Sequence, residues 1–123
     1  MSITVAMSER TRQYIETAIW ADLQDDAGNP ADKDYDASDV APGTVRQIEA
    51  AVDAFFTANA ADIEATGSDD GRTAHNLYLS RNGHGAGFFG NGYGPAGDRL
   101  QDAARALGES QPYLGDDGRV YFT

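Results

Sequence analysis

Apolar side chains at Ile15, Ala18, Ile19 and Leu23, with Tyr14 and Trp20 beside them, recur at steps of three and four. Ser8 stands where an N-cap belongs, so the spacing predicts a first helix over Glu9–Asp22. The pattern then lapses: between 22 and 39 the chain carries seven Asp against Lys33 alone, and Gly28 and Pro30 break any helix, which predicts an acidic loop with Tyr35 as its anchor. Helical spacing resumes with Pro42 in a first turn and Val45, Ile48, Val52, Phe55, Phe56 and Ile63 on one stripe, a second helix to about Ala65 that Gly67 stops. After the polar stretch 68–71 the pattern changes to alternation. Residues 75–81 lead to Asn82-Gly83, a pair suited to a type I′ turn, and 84–89 return, which predicts a β-hairpin.

In that register Arg81 faces His84, Leu79 faces Ala86, Leu77 faces Phe88 and His75 faces Gly90, while Tyr78 and Ser80 face Gly87 and Gly85 across the other side. Seven glycines between 83 and 97 make 90–94 a loop, and Pro95 opens a helix with Leu100, Ala103, Ala104 and Leu107 on its stripe and Gly108 as its stop. A last hairpin pairs 112–114 with 119–122 around Asp116-Asp117-Gly118. The expected architecture is therefore a single α+β domain over 1–123, with helices packed on one side of a small antiparallel sheet in the order α-α-β-β-α-β-β.

Composition narrows the function. Twenty of the apolar residues are Ala, so a core must be built from few large side chains. The formal charge is -11, with nine basic residues against twenty acidic ones, which argues against direct nucleic-acid binding. Without Cys there is no disulfide, thiolate metal site or thiol nucleophile. No apolar run has the length of a membrane span and the first residues do not read as a basic-then-apolar leader, so the expectation is a cytoplasmic protein without membrane contact.

Three patterns invite a chemical reading. The G-x-G-x-x-G match at 85–90 falls on a predicted strand rather than at a strand-to-helix turn, so no nucleotide cofactor follows. The second glycine cluster, 92–97, does open a helix, but Asp98 in its first turn complements the dipole and repels an anion. Asp32, Asp34 and Asp36 alternate as in a calcium loop, yet Ala37 and Gly43 occupy the positions where Gly and Glu are required, so no EF-hand and no metal is expected. His75 and His84 suit acid–base work, but the hairpin register puts them at opposite ends of neighbouring strands, roughly 20 Å apart at about 3.3 Å per residue. No shared site results.

The string A-H-N-L-Y-L-S-R-N-G-H-G-A-G-F-F at 74–89 resembles the signature H-D-F-W-L-T-R-N-G-H-G-A-G-F-W-D of a family of small, uncharacterised tailed-bacteriophage proteins. The flanks are similar too: an acidic inter-helix segment at 25–40, Ala41-Pro42-Gly43-Thr44 against A-P-E-T, and 113–118 against Y-V-G-D-D-G. Asn76 and Gly90 stand where the signature has Asp, so a carboxylate beside a motif His is missing, whereas Leu77, Tyr78 and Phe89 keep apolar bulk. The resemblance implies a phage origin and no particular activity.

Two readings follow. In the first, a non-catalytic phage accessory protein presents Asp22, Asp25, Asp26, Asp32, Asp34, Asp36 and Asp39 to a basic host protein, with DNA mimicry or inhibition of a host defence as its sharp form. In the second, a small hydrolase-like enzyme uses His84 and Arg81, with His75 as a further candidate, beside the glycine-rich loop. They are separable by whether His84 lines a concave pocket with a second ionisable group within hydrogen-bond reach; a ring in bulk solvent, or packed with no cavity beside it, retires the enzyme. A third possibility is a homo-oligomeric module sharing Phe55, Phe56, Tyr121 and Phe122.

Overall fold

The computed structural model describes residues 6–84 and 87–123. Helix α1, Glu9–Asp22, starts as its sequence directs: Ser8 Oγ accepts the Thr11 amide, and Tyr14, Ile15, Ala18 and Ile19 turn inward. Pro42 opens α2, Pro42–Ala58, whose Val45, Ile48, Val52, Phe55 and Phe56 are buried. The expected single helix to about Ala65 is two helices. At Asn59 the side-chain amide and the backbone N–H both donate to Phe55 O, at 3.0 and 3.1 Å, and the chain leaves helical geometry for one residue before α3, Ala60–Thr66. An Asn that competes for a helix carbonyl is the physical reason for the break. Gly67 then ends α3 in the left-handed conformation, as its position suggested.

The largest correction concerns 70–89. In place of a strand there is helix α4, Asp70–Arg81, capped by Asp69 Oδ1 accepting the Arg72 amide. Asn82-Gly83 does not form a type I′ turn. Asn82 has φ -103°, only Gly83 is left-handed at 77°, and the amides of Gly83 and His84 return to the carbonyls of Ser80 and Leu79. These two bonds form a Schellman motif, so the pair that reads as a hairpin turn stops a helix instead. The pairings of Arg81 with His84, Leu77 with Phe88 and His75 with Gly90 are therefore absent, and those of Ala86 and Gly85 fall outside the described residues. After the stop the chain lies back along α4, where Phe88 N donates to the buried Ser80 Oγ at 2.8 Å and the Phe88 ring stacks on Phe55.

Helix α4 misled the alternation pattern because its solvent-exposed residues, Asp70 and Arg72, are confined to its first turn, and most of the rest is enclosed and shows no period. Thr73, Ala74, Asn76, Leu77, Tyr78, Leu79 and Ser80 are all buried, with α1 on one flank and α5, Pro95–Ala106, on another. Strands β1, Pro112–Leu114, and β2, Val120–Phe122, pair antiparallel as the last hairpin. Its fully buried Val120 enters the core and its carbonyl accepts the Ala41 amide at 3.0 Å. Bonding of residues 40–41 to β2 thus ties the start of α2 to the hairpin. The order is α-α-α-α-α-β-β, an α+β-like arrangement with one two-stranded sheet among the described residues, not the two hairpins expected. None of the described helices is long and apolar enough to cross a membrane.

Candidate functional site

At the end of α1 a carboxylate, a phenol and an imidazole meet. Asp22 is the last residue of the helix, and its Oδ2 accepts from Tyr78 Oη at 2.5 Å and from His84 Nε2 at 2.9 Å, with Oδ1 3.1 Å from the same nitrogen. Tyr78 projects from α4 and His84 follows its Schellman turn, so the crossing of α1 and α4 brings together residues 56 and 62 positions away from Asp22. Because the carboxylate accepts, Nε2 carries the proton, and in the neutral ring Nδ1 keeps its lone pair. That nitrogen has no hydrogen-bond partner among the described residues. Burial first, then the hydrogen bond and charge of Asp22, push the Tyr78 phenol far above its usual range. The Asp22 carboxyl is mostly shielded, 15% exposed, while the imidazole is 36% exposed.

The sequence reading placed Asp22 in a solvated patch; it is the partner of His84. The acid expected to be missing from the motif comes from α1. Arg81 does not join the pair: its Nε donates to Gly108 O at 2.7 Å and its Nη1 to Tyr14 Oη at 3.3 Å. Tyr14 in turn meets Tyr78 edge-on, at 5.3 Å between ring centroids, so Arg81 touches the cluster only through that ring. His75 has a different partner, Thr17 Oγ1 at 2.9 Å from Nδ1. Thr17 already donates to Gln13 O, which leaves its oxygen as acceptor and puts the proton on His75 Nδ1. Thr17 and Asp22 are five residues apart on α1, about 7.5 Å of axial rise, so the two imidazoles hold separate stations. The predicted strand geometry for their separation does not apply: the rings are held apart by Thr17 and Asp22, on different turns of α1.

Burial, then the Arg72 charge, lowers the His75 pKa from its ordinary 6.5. A base with a depressed folded pKa stabilises the fold above the unfolded value and loses that contribution as pH falls through the folded one. The ring is accordingly expected to titrate below 6.5 by NMR, and His75→Gln to flatten the decline of thermal stability on acidification below that pH. An unchanged decline in the variant would refute the assignment.

The seven carboxylates of the acidic loop divide by job. Asp25 accepts the amides of Ala27 and Asn29, Asp36 accepts from Ser38 N and Oγ, and Asp39 accepts the Asp36 amide, forming a capping box around the 3₁₀ turn Ala37–Asp39. The Ser38 bonds hold the Asp36 carboxyl below its usual range. Asp36 thus serves this turn rather than pairing with a cation of the chain. Asp26, Asp32 and Asp34 make neither ion pair nor side-chain hydrogen bond among the described residues.

Between the loop and α1 lies a depression of about 220 Å³, lined by Glu16, Ile19, Trp20, Asp32, Tyr35 and Asp36. Trp20 is 62% exposed there, although large aromatic side chains are usually well covered. Trp20 and Glu16 were not singled out as site residues by the sequence reading. Their signal was present: both fall on the polar side of α1, four residues apart, and an indole on a polar face has no core to serve. Comparison of the chain with protein-family models, with curated proteins and with solved structures finds no match.

Proposed function

We propose that the protein acts without catalysis, as a phage accessory factor whose acidic loop binds a basic protein of the host. The observation that carries this reading is the carboxylate of Asp32 beside the exposed Trp20, with Asp26 and Asp34 of the same loop likewise unpaired among the described residues. Trp is among the residue types enriched at protein-binding hot spots, and the net charge of -11 steers a cationic partner toward the surface that carries it. DNA mimicry is the sharper form, in which the loop competes for a nucleic-acid-binding face. The immobilised protein, offered a bacterial lysate at low salt, is expected to retain a basic protein that about 0.5 M salt releases. Duplex DNA should displace it in the mimicry form. Recovery of no salt-released protein overturns the reading.

A second reading has one specific observation in its favour, the Asp22-oriented imidazole of His84 with Nδ1 left as a base. In that reading His84 is the base, Asp22 its orienter, and Tyr78 fixes the carboxylate. Turnover of p-nitrophenyl esters or phosphates, abolished by His84→Gln and kept by His75→Gln, would support it; turnover unaffected by either variant, or none, would retire it for these substrate classes.

A further inference from the structure

We propose that the depression between Trp20 and Tyr35 is the receptor for a single arginine side chain of the basic partner, an inference that rests on the binding reading above. The carboxylates do not mark the site, since acids recur over the whole chain; its aromatic and aliphatic lining does. Trp20, Tyr35 and Ile19 supply an apolar floor, and Glu16, Asp32 and Asp36 stand around it. Of these acids, Glu16 meets Arg12 only at 3.9 Å and Asp36 is engaged with Ser38, which leaves Asp32 as the free acceptor. A π face beside an unpaired carboxylate is complementary to a planar cation, which stacks on one and bonds the other bidentately.

Size and rigidity agree with that occupant. At about 220 Å³ the space is below the roughly 300–1,000 Å³ of sites for drug-sized molecules, and suits one side chain. The loop is held in place: Gln24 bridges Pro30, the Ala31 amide donates to Leu23 O at 3.1 Å, and Ala31 and Ala37, on either side of residues 32–36, are buried. Elsewhere the chain's own arginines illustrate both halves of the recognition. Arg10 lies 4.5 Å from the centroid of the Phe56 ring, and Arg99 grips Asp62 through two nitrogens. Arg12 stands at the rim, 3.9 Å from Glu16 and with its charge felt at Asp36, but is not among the lining residues, and Lys33, next to Asp32 in sequence, makes no ion pair among the described residues.

Trp20 is the one tryptophan of the chain, so the emission comes from a ring that lines this site; its other ring contact is His75, 6.1 Å away between centroids, and the titration is therefore run at one fixed pH. The test titrates the intact protein at low salt with a Gly-Arg repeat peptide and with its citrulline and lysine counterparts, following Trp20 fluorescence and, in parallel, calorimetric heat. The arginine peptide is expected to change the emission saturably, the citrulline peptide to bind at least about tenfold more weakly, and the lysine peptide to fall between them. Trp20→Ala, read by calorimetry, and Asp32→Asn, read by both methods, are each expected to weaken the arginine peptide about five- to tenfold. Equal affinity for the arginine and citrulline peptides, or unchanged affinity in both variants, overturns the receptor. Absence of binding overturns it also. Heat without a change in Trp20 emission, or a lysate partner retained equally by Trp20→Ala, removes the receptor while leaving the acidic-surface reading in place.

Discussion

Replacing Gly87 by Ala is expected to destabilise the fold by about 3 kcal/mol, the upper end of what overpacking costs. A Cβ at this position would sit 2.0 Å from Ser80 Oγ, 2.7 Å from Ser80 N and 2.8 Å from Asn76 O. The hydroxyl can rotate, but the last two atoms are backbone of α4 and cannot yield without moving the helix. Ser80→Ala in the same chain should therefore fail to rescue stability, and it removes the acceptor for Phe88 N as well. Urea denaturation followed by circular dichroism measures this directly. A midpoint close to that of the parent protein would show that the return segment does not lie on α4 as described. The tight approach explains the glycine at this place in the motif as a packing requirement, independent of any ligand.

The second large effect is alkaline. Tyr78 is fully buried with its hydroxyl on Asp22, and Tyr14, beside it, is also pushed up by burial, against the opposing influence of Arg81. For an acid whose folded pKa is raised, both states are protonated below the unfolded value near 10, so the stabilisation is complete there. Above that pH the unfolded chain releases the proton first, and stability is lost at about 1.4 kcal/mol per pH unit for each such tyrosine. With these two, and with Tyr121 also raised by its bond to Asp117, the fold is expected to weaken steeply between pH 10 and 11. Tyr78→Phe should cost about 1–2 kcal/mol at pH 7, through the lost hydrogen bond to a carboxylate, yet show a clearly shallower alkaline slope. Thermal melts across pH 8–11 for the two proteins make the comparison, and equal slopes would contradict the role given to Tyr78.

The parts of the fold legible in the sequence are those with one wet face. Helix α1 shows its cap and its stripe, α5 its proline start, and the terminal hairpin its Asp-Asp-Gly turn; all three stand where the residues placed them. Helix α4 was illegible for the opposite reason. Leu77, Tyr78 and Leu79 are consecutive and all buried, so no polar face shows the helical period, and His75, Leu77, Leu79 and Arg81 then read as a strand. Asn82-Gly83 reinforced the error because a left-handed glycine serves a helix stop and a hairpin equally well. At the site, His84 was identified from its residue type, but its acid was not, since the crossing of two helices carries no signal in local spacing. The acidic loop was found as a loop, while the division of its carboxylates into turn-formers and free acceptors depended on Ser38, Asn29 and Asp39, whose backbone partners only the folded chain reveals.

A helix enclosed on both flanks also sets the order in which the molecule opens. The amides of residues 77–80, shielded by α1 and α5, have no local route to deuterium and should exchange only when the whole domain unfolds. Those of Asp26 and Asp32, in the loop between α1 and the 3₁₀ turn and without a backbone bond among the described residues, should label within moments. The surface proposed to meet a partner and the element that holds the domain together would thus lie at opposite ends of a single protection scale.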